Sequence, residues 1–181
     1  MTGPVGPAPE VTLRAVGQEE LELIGRWRND PEHESEFGDF LVMARQQHRF
    51  RYQSDWQMNG LLTEDNGTLL ICRDGEPVGT VSWHPVRYGP NPGSQALNIG
   101  LAITPGARGQ GVGTAAQRLA YQWLFRHTTV NRVEASTDVK NVAEQRALEK
   151  AGFTREGIMR GAQFRGGQWH DLVQYSRLRA D

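Results

Sequence analysis

Three glycines in five residues stand between an alternating apolar segment and a long helical one, and this junction constrains the chain most. The run is Arg108-Gly109-Gln110-Gly111-Val112-Gly113-Thr114. Ahead of it, Ala96 to Ile103 has strand character, and Pro105-Gly106 closes it. Behind it, Thr114 to His127 puts Ala116, Leu119, Ala120, Trp123 and Leu124 on one stripe, the pattern of a helix laid on a sheet. Glycines let the backbone turn tightly and approach a ligand without a Cβ in the way. Their N–H groups, with the orphan donors of the first helical turn, form a cradle for phosphate. Arg108 adds positive charge beside it. A nucleoside-triphosphate loop would end in Gly-Lys-Ser/Thr, and no lysine is near. A dinucleotide fingerprint needs glycine at its sixth position, where Thr114 stands. Glu134 does follow about 20 residues later, as that fingerprint asks. The loop comes after several expected strands rather than the first, however, so a pyrophosphate on another carrier fits better.

The other elements are expected as follows. Val11 to Arg14 reads as a strand, and Glu19 to Arg28 as a helix with Leu21, Ile24 and Trp27 on one face. Gln46 to Met58 suggests a second helix. Thr68 to Arg73 and Val78 to His84 flank Asp74-Gly75, a hairpin signal, and the Pro/Gly-rich Pro85 to Ser94 reads as a loop. Val130 to Ser136 is a strand. Asn141 caps a helix through Lys150, Glu144 completes a capping box, and Gly152 ends the helix. Phe153 to Arg160, Phe164 to Gln168 and Asp171 to Leu178 are closing strands, with a turn at Gly166-Gly167. This order predicts an α/β fold: one mixed sheet with at least two crossover helices. Residues 1–10, rich in Gly, Pro and Ala, are expected as a flexible leader, and residues 11–181 as a single domain.

Composition narrows the function classes. The 181 residues carry a formal net charge of -1, which gives no general pull towards nucleic acid or a membrane surface. One cysteine, Cys72, excludes an internal disulfide, and in Leu69-Leu70-Ile71-Cys72 it reads as a small buried hydrophobe. Without a basic, apolar export signal, the expected location is cytoplasmic. The scattered histidines and lone cysteine give no metal-ligand spacing, so no metal is expected.

Beyond the glycine run, three further stretches stand out. They are Asn131-Arg132-Val133-Glu134-Ala135-Ser136-Thr137, Asn141 through Phe153, and the set Glu156-Gly157, Arg160-Gly161, Gly167, Asp171 and Tyr175. With these stretches the chain resembles the GCN5-related N-acetyltransferases (GNAT), and within them the RimJ/RimL-like branch that acetylates ribosomal-protein N-termini. The resemblance covers roughly residues 11 to 179. It implies a mostly antiparallel twisted sheet, flanked by helices, in which one parallel strand pair splays apart. That pair would be Asn98 to Ile103 and Val130 to Ser136. It also implies acetyl-CoA as acetyl donor, with CoA as product. By resemblance, the pyrophosphate would rest on Gly109, Gln110, Gly111, Val112 and Gly113, with Arg108 and Thr114 beside it. The arm would run along Leu101, Ala102 and Ile103 and meet Asn141, and Arg146 belongs to the same motif.

The implied chemistry is direct transfer of an acetyl group to a primary amine, without a covalent enzyme intermediate. The Leu101 N–H would polarise the carbonyl. Asn98 stands where many relatives have a glutamate, and Gln145 and Leu148 lie near positions of serine or tyrosine. None of the three can move a proton. His84, Glu134 and Asp171, with His170, are the candidates to do so instead. The acceptor is expected to be a peptide or protein N-terminus or a small-molecule amine. Glu32, Glu34, Glu36 and Asp39 would attract a cation, and Trp56, Trp83, Tyr88 and Trp169 are candidate pocket aromatics. A homodimer is expected, with Phe164 and Trp169 available to an interface. Two other classes stand beside this reading: a non-catalytic acyl-CoA sensor and a partner-binding domain with a vestigial cleft.

Overall fold

The computed structural model describes residues 10–30, 37, 53–91 and 93–181. Among these described residues, seven strands join in one sheet: β1 (Val11–Ala15), β2 (Gly67–Arg73), β3 (Glu76–Arg87), β4 (Gln95–Ile103), β5 (Arg132–Asp138), β6 (Thr154–Arg165) and β7 (Gln168–Leu178). Their order across the sheet is β1-β2-β3-β4-β5-β7-β6. Every neighbouring pair is antiparallel except β4 with β5. The main helices are α1 (Leu21–Asn29), α2 (Val112–His127) and α3 (Val142–Ala151), and residues 53–59 are also helical. This is the mixed, mostly antiparallel sheet that the family resemblance implies. Residues 1–9, Glu32, Glu34, Glu36 and Asp39, and the start of the expected Gln46 to Met58 helix lie outside the described residues.

Both faces of the sheet are covered, and β2 shows why its sequence is apolar throughout. Leu69 and Ile71 point into the large core under α2 and α3, with Val81, Leu97, Ile99, Ala116, Leu124, Val133 and Leu148. Leu70 and Cys72 point the other way, against Val16, Ile24 and Leu61. A strand buried on both faces cannot alternate apolar with polar residues. Cys72 is a buried hydrophobe, as expected. Trp56 closes this second cluster by donating its Nε1–H to the Val16 carbonyl at 2.8 Å. Among the described residues, no helix is long and apolar enough to cross a membrane.

Five expectations need correction. β3 does not end at His84 but runs to Arg87, so the loop after it shortens to residues 88–94. Pro85 is tolerated because β2 stops at the Gly67↔Trp83 pair, leaving β3 an edge on that side where no ladder donor is needed. The three closing strands are two long ones, because β6 continues past Gly161 through a register shift between Met159 and Gln163. The strand expected at Val130 to Ser136 is Arg132–Asp138, and α2 starts at Val112, two residues before Thr114. At α3, the Asn141 side chain accepts from the Glu144 N–H at 3.2 Å, but the Glu144 carboxylate turns to Gln117 instead of closing a capping box. The Asp74-Gly75 turn is as read: φ is 50° and 87°, the mirror-image turn that suits a twisted hairpin.

Gly67 shows how closely the sheet is packed. A Cβ there would lie 2.1 Å from the Trp83 ring, which is buried and stacks at 5.2 Å on Trp123. Replacing Gly67 with alanine is therefore expected to cost about 1–3 kcal/mol by overpacking. Urea unfolding should show a lower midpoint with an unchanged slope.

Candidate functional site

The glycine-rich run folds into a tight crossover from β4 to α2. Gly109 and Gly111 adopt φ of 72° and 82°, a left-handed conformation that residues with a Cβ resist. Gly111 is the N-cap of α2 and has no side chain to offer the first turn. Among the described residues, the backbone N–H groups of residues 109–114 have no partner in the chain. A Cβ on Gly109 or Gly111 would meet nothing within 4 Å, so the space over these donors is open. Side chains fix the loop's shape: Gln110 Nε2 donates to the Gly106 carbonyl at 2.7 Å and Arg108 Nε to the Ile103 carbonyl at 2.8 Å. Buried Val112 pins the helix start in the core. Arg73, at the end of β2, donates to Gln110 Oε1 and brings a second guanidinium to the loop. No sequence spacing pointed to Arg73; pairing of β2 with β1 places it.

Beside the loop the sheet opens. β4 and β5 pair at only two positions, Leu97↔Val133 and Asn98↔Glu134. Past them, β4 stays with β3 as far as Ile103↔Gly79, and β5 stays with β7 as far as Asp138↔Leu172. The facing edges, residues 99–103 and 135–138, therefore diverge without pairing each other. Leu101, Ala102 and Ile103 lie along one edge, partly or fully exposed. Asn141 stands beyond the other; its Nδ2 donates to Thr137 Oγ1 at 3.0 Å and its Oδ1 caps α3. Arg146 is exposed one turn further along α3.

The candidate proton carriers separate into two places. His84, Asn98 and Glu134 share one row across β3, β4 and β5, hence one face of the sheet. His84 is exposed, whereas Glu134 is 1% exposed. Glu134 Oε1 accepts from Tyr88 Oη at 2.6 Å and Arg132 Nε at 2.5 Å, and its Oε2 accepts from Gln174 Nε2 at 3.0 Å. Arg132 also binds Glu156, whose carboxyl is held below its ordinary range by that guanidinium and by Ser176. Asp171 lies elsewhere, accepting from the Gly161 N–H at 2.7 Å across the β6 bulge. His170 joins a buried pair: its Nδ1 is 3.3 Å from Asp138 Oδ2, which also bonds Arg165 Nη2 at 2.5 Å. Leu148 is in the core. Among the described residues, no group of three His, Cys, Asp or Glu side chains could hold a metal ion.

A family model for the acetyltransferase (GNAT) domain matches residues 10–154. The chain belongs to the GNAT acetyltransferase family. Among its relatives, the Bacillus subtilis protein named "Probable N-acetyltransferase YjcK" is 35% identical over 113 residues, 62% of this chain and 61% of that one. The chain spans about three fifths of the length of the curated Bacillus subtilis relatives it first matches, 61% and 58%. Its fold is shared with Mycobacterium smegmatis RimJ in complex with CoA-disulfide, at TM-score 0.77 and 21% identity over 96% of this chain and 84% of that one. A second solved structure, Vibrio cholerae spermidine N-acetyltransferase in complex with CoA and spermine, gives TM-score 0.75 at 17% identity over 94% and 96%.

In this GNAT domain the buried ionic groups lead to two stability predictions. Glu134→Ala leaves Arg132, Tyr88 and Gln174 without their shared acceptor. It should lower stability by about 3 kcal/mol, read by chemical denaturation. Asp138 is held below the ordinary carboxyl range: burial opposes ionisation, but the Lys140 N–H and Arg165 outweigh it. A depressed folded pKa means its contribution is complete above the unfolded value of about 4 and disappears as pH falls through the folded one. Acid unfolding should therefore set in below about pH 4, and Asp138→Asn should flatten that acid limb while lowering stability at pH 7.

Proposed function

We propose that this GNAT domain, a single unit over residues 11–181, binds acetyl-CoA and transfers its acetyl group to a primary amine. The observation that carries this reading is the two-residue seam between β4 and β5, opening next to a cradle of unpaired N–H groups. The residues suit the cofactor's two chemistries. Anionic phosphates match residues 109–114 with Arg108 and Arg73 beside them. An amide-bearing arm matches the free backbone edge of Leu101 to Ile103, where peptide-like donors and acceptors can pair as in an added strand. Asn141 borders the same gap, and Arg146 lies at its outer side. Bound there, acetyl-CoA supplies an activated acyl carbon.

The chain's own groups do the rest. Leu101 offers an N–H where negative charge develops on the acyl oxygen. Cys72 is buried against Val16, Ile24 and Leu61 and cannot reach the cleft, so the amine attacks directly. Glu134 acts as a positioning residue, because three donors already occupy its carboxylate. Exposed His84, on the same row as Asn98, remains as the side chain able to take the amine's proton through water. Asp171 shapes the closing strands. The acceptor is an amine on a peptide, protein N-terminus or small molecule, approaching from the face that carries His84 and Asn98. The acyl-CoA sensor is the second reading, favoured by Asn98 and by the engaged Glu134; it predicts binding without transfer. A homodimer through the exposed Phe164 and Trp169, and a cytoplasmic location consistent with one reduced cysteine, complete the proposal.

Calorimetric titration with acetyl-CoA is expected to give micromolar affinity. Gly111→Ala, which strains a left-handed residue by about 1–2 kcal/mol, should weaken it up to about tenfold. No binding by the folded protein would overturn the proposal. Cys72→Ala should retain acetyl transfer at the wild-type rate, and an acetylated Cys72 isolated from the reaction would overturn direct attack.

A further inference from the structure

One polar pair, a buried amide and a half-buried carboxyl, has no part in the chemistry above. Gln117, on the second turn of α2, is completely buried, and its Nε2 donates to Glu144 Oε1 at 2.5 Å. Its amide oxygen has no partner among the described residues. Leaving a buried carbonyl oxygen unsatisfied costs about 1–3 kcal/mol. A carboxylate cannot relieve this, because it only accepts; a carboxylic acid can, because its O–H donates. With Glu144 protonated, acid and amide would exchange two hydrogen bonds face to face, and the buried amide oxygen would be satisfied. Burial also pushes the Glu144 carboxyl above its ordinary value, and the Gln117 amide only partly offsets this.

The charged groups around the pair face elsewhere. On α2, Arg118 donates to the Lys150 carbonyl at 2.8 Å. On β5, Asp138 binds Arg165, and Arg132 and Glu134 lie on the far face of the sheet with Glu156 of β6. Arg155 of β6 lies opposite Tyr175, and Arg146 of α3 is exposed. The bridge itself spans α2 and α3. α2 packs over β4, where a Cβ at Gly113 would sit 3.4 Å from Ile103 Cδ1, and α3 packs over β5. The Gln117–Glu144 link therefore joins the two helices that flank the diverging strands, and the Glu144 N–H is bonded to Asn141 Oδ1 at the border of the gap.

We propose that Glu144 is stored as a neutral acid by Gln117 and donates its proton to the departing thiolate. This rests on the acetyl-transfer reading above. As the carbon–sulfur bond breaks, its electron pair goes to sulfur, and the proton on the Glu144 oxygen passes to that sulfur, giving the thiol. The amine's own proton leaves through water, and water reprotonates Glu144 for the next cycle. Glu144 thus supplies the acid that Leu148 and Gln145 cannot.

The test is Glu144→Gln, which can still exchange two hydrogen bonds with Gln117 but has no proton to give. Infrared difference spectra at pH 7 should show a protonated-carboxyl band in the wild type that is absent from the variant. Thermal stability and CoA affinity should match the wild type. Turnover should fall about 10²-fold. The wild-type loss of kcat on the alkaline side, where Glu144 gives up its proton, should vanish. No acid band in the wild type, or equal turnover and pH profile in the two proteins, would overturn the inference. Failure of the acetyltransferase reading looks different: neither protein binds CoA, or both bind it and neither transfers an acetyl group.

Discussion

Everything functional in this fold depends on a competition for strand partners. β4 is committed along its whole length to β3, and β5 to β7. Because those outer ladders diverge, the central parallel pair holds together at Leu97↔Val133 and Asn98↔Glu134 and nowhere else. The free backbone edges past that point would be a liability on an ordinary sheet. Here the helices α2 and α3 roof them, so they form a slot rather than an exposed rim. The same helices bury the core that holds the outer ladders in place, so cleft and stability share one set of contacts.

The seam is reinforced on its far face by ions. Arg132, Glu134 and Glu156 tie β5 to β6, while Tyr88 and Gln174 bring in the loop after β3 and the strand β7. Five residues from four segments converge immediately below the last paired residues. A carboxylate in that position reads as a catalyst when only its strand is considered. Its neighbours make it a clamp, because both of its oxygens already accept hydrogen bonds from the protein.

How far the chain could be read in advance follows from range. Local signals held: the Asp74-Gly75 hairpin, the glycine crossover, the Asn141 cap and the Gly152 terminator are each fixed within a few residues. Breakers misled where tertiary context absorbed them, as with Pro85 on a half-vacated strand and Gly161 in a bulge. Contacts between distant segments left no trace. Nothing near Arg73 announces Gln110, nothing near Tyr88 announces Glu134, and the capping pattern at Glu144 concealed its pull towards Gln117 across the helix interface.

The bulge in β6 has a consequence for the molecule in a crowded cell. β6 is the outermost strand at its end of the sheet, twelve residues long and mostly exposed, a length that invites another chain to add on. The kink at Gly161, tied down by Asp171, and the register shift between Arg155 and Gly157 break that length into three short runs out of register with one another. A stray strand can therefore pair along only one of them. The protein keeps the free edges of β4 and β5 inside, where a ligand's amides can use them, and makes its outer β6 edge a poor template for aggregation.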